Sequence, residues 1–234
     1  MVESCIATAD DTDGIEILTH IDADDRAVDE YARLDLPCRM IFGKKVQVPW
    51  NANLASASLL PFAAGAIFMT AADDIIFETP GWDTIVRAEF AKYPDGILLA
   101  YTNNGQGRRK CEHFFVTRQW VAALGYMVHP GFLHFCSDQW ASEIAQAVGR
   151  EIYLPEVVTR HMHFKYGLSE RDDTYARVRS GSAADGRTHS ELDNDLYKHL
   201  WATRLSDAEK LRKAIHDYEH REGVALAGTR AAAA

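Results

Sequence analysis

Twice along this chain a short apolar run ends abruptly in carboxylates, and this narrows the possible folds more than any other feature. Ile15, Glu16, Ile17, Leu18, Thr19, His20 and Ile21 break into Asp22, Ala23, Asp24 and Asp25, and residues 65–70 run on to Ala72, Asp73 and Asp74. Apolar runs of this length suit buried strands, so both acidic groups stand at strand ends. Helical stretches are predicted between and after them. Residues 29–36 form a candidate helix closed by Pro37, followed by a strand over 38–42; 51–62 and 82–93 are further helices. Pro94, Asp95 and Gly96 then turn the chain into a strand over 97–101, a helix over 138–148 stops at Gly149, and 151–154 is extended. This alternation predicts an α/β fold with a mostly parallel sheet flanked by helices, in which ligands gather at the carboxyl ends of strands.

A chain of 234 residues accommodates one such domain with a substantial core and a peripheral helical piece. After residue 178 the character changes. Residues 179–189, rich in Ser, Gly, Ala and Asp, are expected to be a linker, and 190–234 a helical extension with a helix over about 191–221 and an alanine tail from Ala231.

The net charge of -9 disfavours a nucleic-acid partner, since phosphate binding needs clustered Lys and Arg. Arg108, Arg109 and Lys110 form the one notable basic group, and after the turn-rich 103–107 stretch they read more simply as a solvated loop than as a phosphate site. Cys5, Cys38, Cys111 and Cys136 lack the short spacings of a zinc knuckle or redox pair and read as reduced thiols. No secretory signal opens the chain, and the apolar stretch 59–72 is too short to span a bilayer. A cytoplasmic setting is expected.

Asp73 and Asp74 place oxygen donors suited to Mg²⁺ or Mn²⁺ at the mouth of the sheet; the plainer reading is a solvated acidic turn. His161 and His163 fall on one side of an extended segment, and one or both imidazoles could complete the site, which would favour Mn²⁺. Asp138 opens a helix, where capping is the ordinary role, but a carboxylate at a pocket edge can also take a proton from an attacking hydroxyl. Asp22, Asp24 and Asp25 can accept hydrogen bonds from a base or ribose, and residues 172–175 could order as a lid or merely start a surface helix. His113, His129 and His134 show no ligand spacing and receive no role.

Taken in order, these segments resemble the family-two-like glycosyltransferases of the glycosyltransferase A fold. The resemblance rests on the 15–25 strand and loop, the helix start Asn51-Ala52-Asn53, Ala64-Gly65 leading to Ala72-Asp73-Asp74, Ser137-Asp138, and His161-Met162-His163. It implies a Rossmann-like, nucleotide-sugar-binding catalytic domain over 1–178, with the C-terminal helical extension appended. Asp22 and Asp24 would hold the nucleoside, Asn53 would also contact the donor, and Asp74 would be the second acid of the metal-binding Asp-x-Asp motif. Asp73 takes that motif's middle position, and Ala72 stands where its first acid is usual. Asp138 would be the general base and His161 or His163 the late histidine at the metal. The family normally opens with a strand, whereas residues 1–9 already read as its first helix, so that strand is expected to be missing. The implied activity is inverting transfer from a nucleotide-diphosphate sugar to a glycan or other hydroxyl acceptor, with Mn²⁺ or Mg²⁺ as cofactor. A metal-dependent phosphoesterase and a noncatalytic nucleotide- or carbohydrate-binding module are the competing readings.

Overall fold

The computed structural model describes residues 1–23, 25–43, 59–107, 109–170 and 186–232, the last nine without their side chains. Helix α1 (Val2–Ala7) opens the chain, as the sequence predicts. Strands β1 (Leu18–Asp22) and β2 (Arg39–Gly43), with the one-turn helix α2 (Val28–Tyr31) between them, pair in parallel as a two-stranded sheet. The remaining strands are β3 (Ile67–Met69), β4 (Ile75–Phe77), β5 (Leu99–Asn103), β6 (Phe115–Thr117) and β7 (Glu151–His161), ordered β3-β6-β5-β7-β4 in one five-stranded sheet. Helices α3 (Trp82–Phe90), α4 (Arg118–Leu124), α5 (Ser137–Ala147), α6 (His189–His199) and α7 (Trp201–Ala232) complete the described elements.

The α/β class is as expected, but the sheet is mixed rather than mostly parallel. Pairs β3–β6, β5–β6 and β4–β7 are antiparallel; β1–β2 and β5–β7 are parallel. The reason lies in the connections. A parallel neighbour needs a long crossover, usually a helix. The described residues between β5 and β6 hold none, so β6 returns beside β5 in the opposite direction.

Strand β7 organises the site. Its first half, Glu151 to Leu154, lies parallel to β5; the register then shifts so that Asn103 faces Val158, and the last three residues run antiparallel to β4. Pro155 sits at this change of partner, where its missing N–H interrupts no ladder. An apolar run without polar alternation marks a strand buried on both faces, and β5 is one. Leu99 and Tyr101 enter a core with Trp120, Phe132, Trp140 and Leu211, while Leu98 and Ala100 enter another with Cys5, Phe77, Trp82 and Leu154. Helix α1 is clamped to the second core by the Trp82 Nε1 donation to the Cys5 carbonyl (3.1 Å) and by Asp83, which accepts the Asp10 and Asp11 N–H groups at 2.8 and 3.1 Å.

The single helix expected over 191–221 is two helices. Thr188 and Glu191 form a reciprocal capping box that starts α6, and a break at Leu200 precedes α7. Helix α7 packs on α4 and α5, and it runs to Ala232, into the expected tail. Most of the expected linker, the candidate lid at 172–175 and residues 51–58 of the expected 51–62 helix lie outside the described residues; the rest of that helix ends in a single 3-10 turn, Leu60–Phe62. No helix among the described residues is long and apolar enough to cross a membrane.

Candidate functional site

The site is built by strand register. Ile75 pairs with His161, and the Met162 N–H donates to the Asp74 carbonyl at 2.8 Å, so Asp74 at the foot of β4 stands beside the end of β7. Their side chains meet: His161 Nε2 lies 3.2 Å from Asp74 Oδ2. From the other flank, the Asn104 carbonyl accepts the His161 N–H (3.1 Å) and the Gln106 side chain donates to the His161 carbonyl (3.2 Å). The loop after β5 thus wraps the end of β7 and delivers Glu112, whose Oε2 is 3.3 Å from His161 Nδ1 and takes a 3.0 Å hydrogen bond from Asn104 Nδ2. His161 is held at both ring nitrogens.

Two further histidines pack edge-on against that ring, with centroids 5.0 Å away for His113 and 5.1 Å for His163. His163 Nδ1 accepts the Lys165 N–H at 3.1 Å, capping the short helix Phe164–Tyr166, and its ring stacks on Phe164. Between the two candidates, His161 is the one in contact with Asp74. Two buried polar atoms in this cluster, Asp74 Oδ1 and His113 Nε2, have no hydrogen-bond partner among the described residues. Such orphans are rare in folded proteins and call for a reason: stored strain, chemistry, or a bound ion or water.

The charges follow from the contacts. Burial opposes ionisation of Asp74 and Glu112, but hydrogen bonds from His161, joined at Glu112 by Asn104 and Lys110, prevail. Asp74 is held below the ordinary carboxylate range and Glu112 at about 2. Burial would likewise depress His161, yet its two carboxylate partners raise it to about 9. His113, enclosed and beside that positive ring, falls to about 4 and stays neutral.

Asp138 is half-buried in the first turn of α5. It is not the cap: Cys136 holds that position, and Asp138 Oδ1 accepts the Gln139 N–H at 2.8 Å. Burial raises the Asp138 carboxyl, and the Glu112 charge raises it further, which puts Asp138 within electrostatic reach of the cluster. Among the described residues two non-glycines have positive φ, His113 at 51° and Cys136 at 65°. One belongs to the cluster and the other leads into Asp138. Backbone strain of this kind persists where surrounding structure enforces it, and it concentrates at functional sites.

The other predicted residues divide. Asp73 is exposed at the strand end, where its charge and that of Asp25 both reach the Tyr31 phenol; the β1–α2 loop and the Asp73 turn are therefore neighbours. Asp22 lies 3.5 Å from His20 and, among the described residues, is neither hydrogen-bonded nor ion-paired to Asp74 or His161. Asp24 and Asn53 lie outside the described residues. Of the basic group, Arg109 donates to the Tyr101 hydroxyl (2.6 Å) and covers the Tyr153 ring, while Lys110 pairs with Glu112 at 3.3 Å. Sequence reasoning missed Glu112 and passed over His113. The available signal was an acid and a histidine immediately before the apolar run Phe114 to Val116.

Among the described residues, no three His, Cys, Asp or Glu side chains surround one point closely enough to enclose a metal ion. Compared with known proteins, the chain matches no family model and no curated protein.

Proposed function

We propose that the chain is a metal-dependent inverting glycosyltransferase of the glycosyltransferase A type, acting on a nucleotide-diphosphate sugar and an acceptor hydroxyl. One observation carries this reading: Asp74 and His161 meet at 3.2 Å at a strand end, with one buried Asp74 oxygen lacking a partner. Two donors on one divalent cation at ordinary bond lengths of about 2.1 Å lie roughly 3 Å apart when adjacent, so a cation that displaces the His161 Nε2 proton would find both donors at a workable spacing. An imidazole with a carboxylate suits Mn²⁺ better than Mg²⁺. Two protein ligands leave coordination positions for diphosphate oxygens, the usual arrangement where a cation is shared with a phosphorylated substrate. A cation bound there would supply positive charge to the departing diphosphate.

The chain's own residues account for the remaining chemistry. Asp138, whose carboxyl is raised by burial, is the residue assigned to take the proton of the acceptor hydroxyl, because raising a carboxylate's pKa toward the operating pH makes it a better base. The exposed Asp73 and the adjoining β1–α2 loop offer acceptors for ribose or base hydroxyls. The four cysteines are free thiols, in keeping with the cytoplasmic setting of this reading.

A thermal-shift screen of nucleoside diphosphates with and without Mn²⁺ tests the reading. Mn²⁺-dependent stabilisation should appear with wild type and vanish with Asp74→Asn, whereas Asp138→Asn should keep binding and lose about 10²- to 10⁴-fold in turnover. Phosphate release without any acceptor would favour the phosphoesterase. Binding with no turnover against a panel of acceptors would favour the noncatalytic module.

A further inference from the structure

The loop between β5 and β6 brings a third side chain to His161 that the proposed chemistry does not itself require. Glu112 Oε2 faces His161 Nδ1 at 3.3 Å, on the side of the ring opposite Asp74, and is steadied by Asn104 Nδ2 at 3.0 Å; Asn104 itself is only 3 % exposed. Lys110 holds the other Glu112 oxygen at 3.3 Å. The ring is boxed in as well: His113 and His163 both meet it edge-on, which opposes rotation.

An imidazole can bind a cation through only one nitrogen, and that nitrogen must be unprotonated. A carboxylate that accepts the N–H of the other nitrogen fixes the required tautomer and makes the ligand more basic. We propose that Glu112 is the positioning residue of the cation site: it accepts the Nδ1–H of His161 and so leaves Nε2 as the nitrogen that would face a cation held beside Asp74. This inference rests on the glycosyltransferase reading only in needing a cation at Asp74 and His161, and it adds a residue which that reading leaves without a role. Had Glu112 only anchored its loop, Asn104 and Lys110 would already serve that end, and no contact with His161 Nδ1 would be needed.

The test is Mn²⁺ titration of the full chain, followed by loss of the free-ion electron paramagnetic resonance signal. Glu112→Gln should weaken Mn²⁺ binding by about 10- to 100-fold, the usual cost of losing such an outer partner, and Glu112→Asp should recover part of it. Equal affinity in wild type and Glu112→Gln, with Asp74→Asn still defective, would overturn the role of Glu112 and leave the cation reading standing. Mn²⁺ binding that is absent from wild type, or unchanged by Asp74→Asn, would overturn both. A second measurement needs no variant. With diamagnetic Zn²⁺ bound, ¹⁵N spectra of the wild-type His161 ring should show Nδ1 protonated and Nε2 unprotonated and zinc-bound, and the opposite arrangement would overturn the proposal even if Glu112→Gln fails to fold.

Discussion

Two buried regions, one on the helical side and one at the strand ends, treat their carboxylates differently. Among the described residues of the helical side, Asp193 and Asp207 have a donor on each oxygen, although His189 Nδ1 and Trp120 Nε1 are buried there without partners. Asp193 accepts the N–H groups of Leu133, His134 and Phe135 at 2.7–2.8 Å, tying α6 to the segment before α5. Asp207 on α7 accepts from the Tyr126 hydroxyl and from Lys210, and Tyr126 in turn accepts from Trp140 Nε1 at 3.2 Å. At the strand ends, Asp74 Oδ1 and His113 Nε2 are buried without partners among the described residues, and the backbone at His113 is strained. A buried carboxylate with both oxygens paired fixes packing; one with an unpaired oxygen at a sheet's mouth costs stability, and that cost is tolerated where the group serves a ligand.

Substitutions in the two regions should therefore separate stability from binding. The largest effect is expected at Trp140, which is 1 % exposed and packs against Phe132 and His129. Trp140→Ala should cost about 3–5 kcal/mol in urea denaturation, with Mn²⁺ affinity of the folded fraction unchanged. Asp193→Ala, which strips three backbone N–H groups of their acceptor, should cost about 3 kcal/mol and likewise spare the cation site. A loss of Mn²⁺ affinity in either variant would break the division.

A smaller effect is expected from pH. His161 is raised from 6.5 to about 9 in the folded chain, so without metal its contribution is complete below pH 6.5 and fades as pH climbs through 9. The lowered carboxyls of Asp74 and Glu112 report the same contacts from the partner side and add no separate gain there. Denaturation midpoints across pH 6–10 check this; a flat profile would mean that the two carboxylates do not hold the imidazolium. The smallest change should come from Asp74→Asn. It weakens the pair with His161 but removes a partly buried charge that burial opposes, so metal-free stability should move by no more than about 1 kcal/mol, with a shallower alkaline decline.

Part of this site was legible in the sequence because it depends on short-range signals. An apolar run ending in Asp73-Asp74 marks a strand end, and a His-x-His spacing in an extended segment puts two rings on one side. What escaped depends on long-range pairing. Residues 151–154 read as a short extended piece, but the strand continues past Pro155 to His161 because it has β5 as a partner for one half and β4 for the other. The three-residue strands β4 and β6 are too short to carry a period of their own. Glu112 lay in a stretch whose turn-forming and basic residues suggested a solvated loop, and only the fold of that loop against β7 brings it to the ring. The helical tail was misread as one piece because the break at Leu200 interrupts no hydrophobic pattern and carries neither Gly nor Pro.

The two halves of the Asp74–His161 contact are mounted on unequal supports. His161 ends an eleven-residue strand braced from both sides, while Asp74 hangs from a three-residue edge strand. Local opening begins at such margins and spares the interior. Amide exchange should therefore be fastest on the Asp74 side, so that the histidine acts as a fixed post and the aspartate as the gatepost that swings when the margin frays.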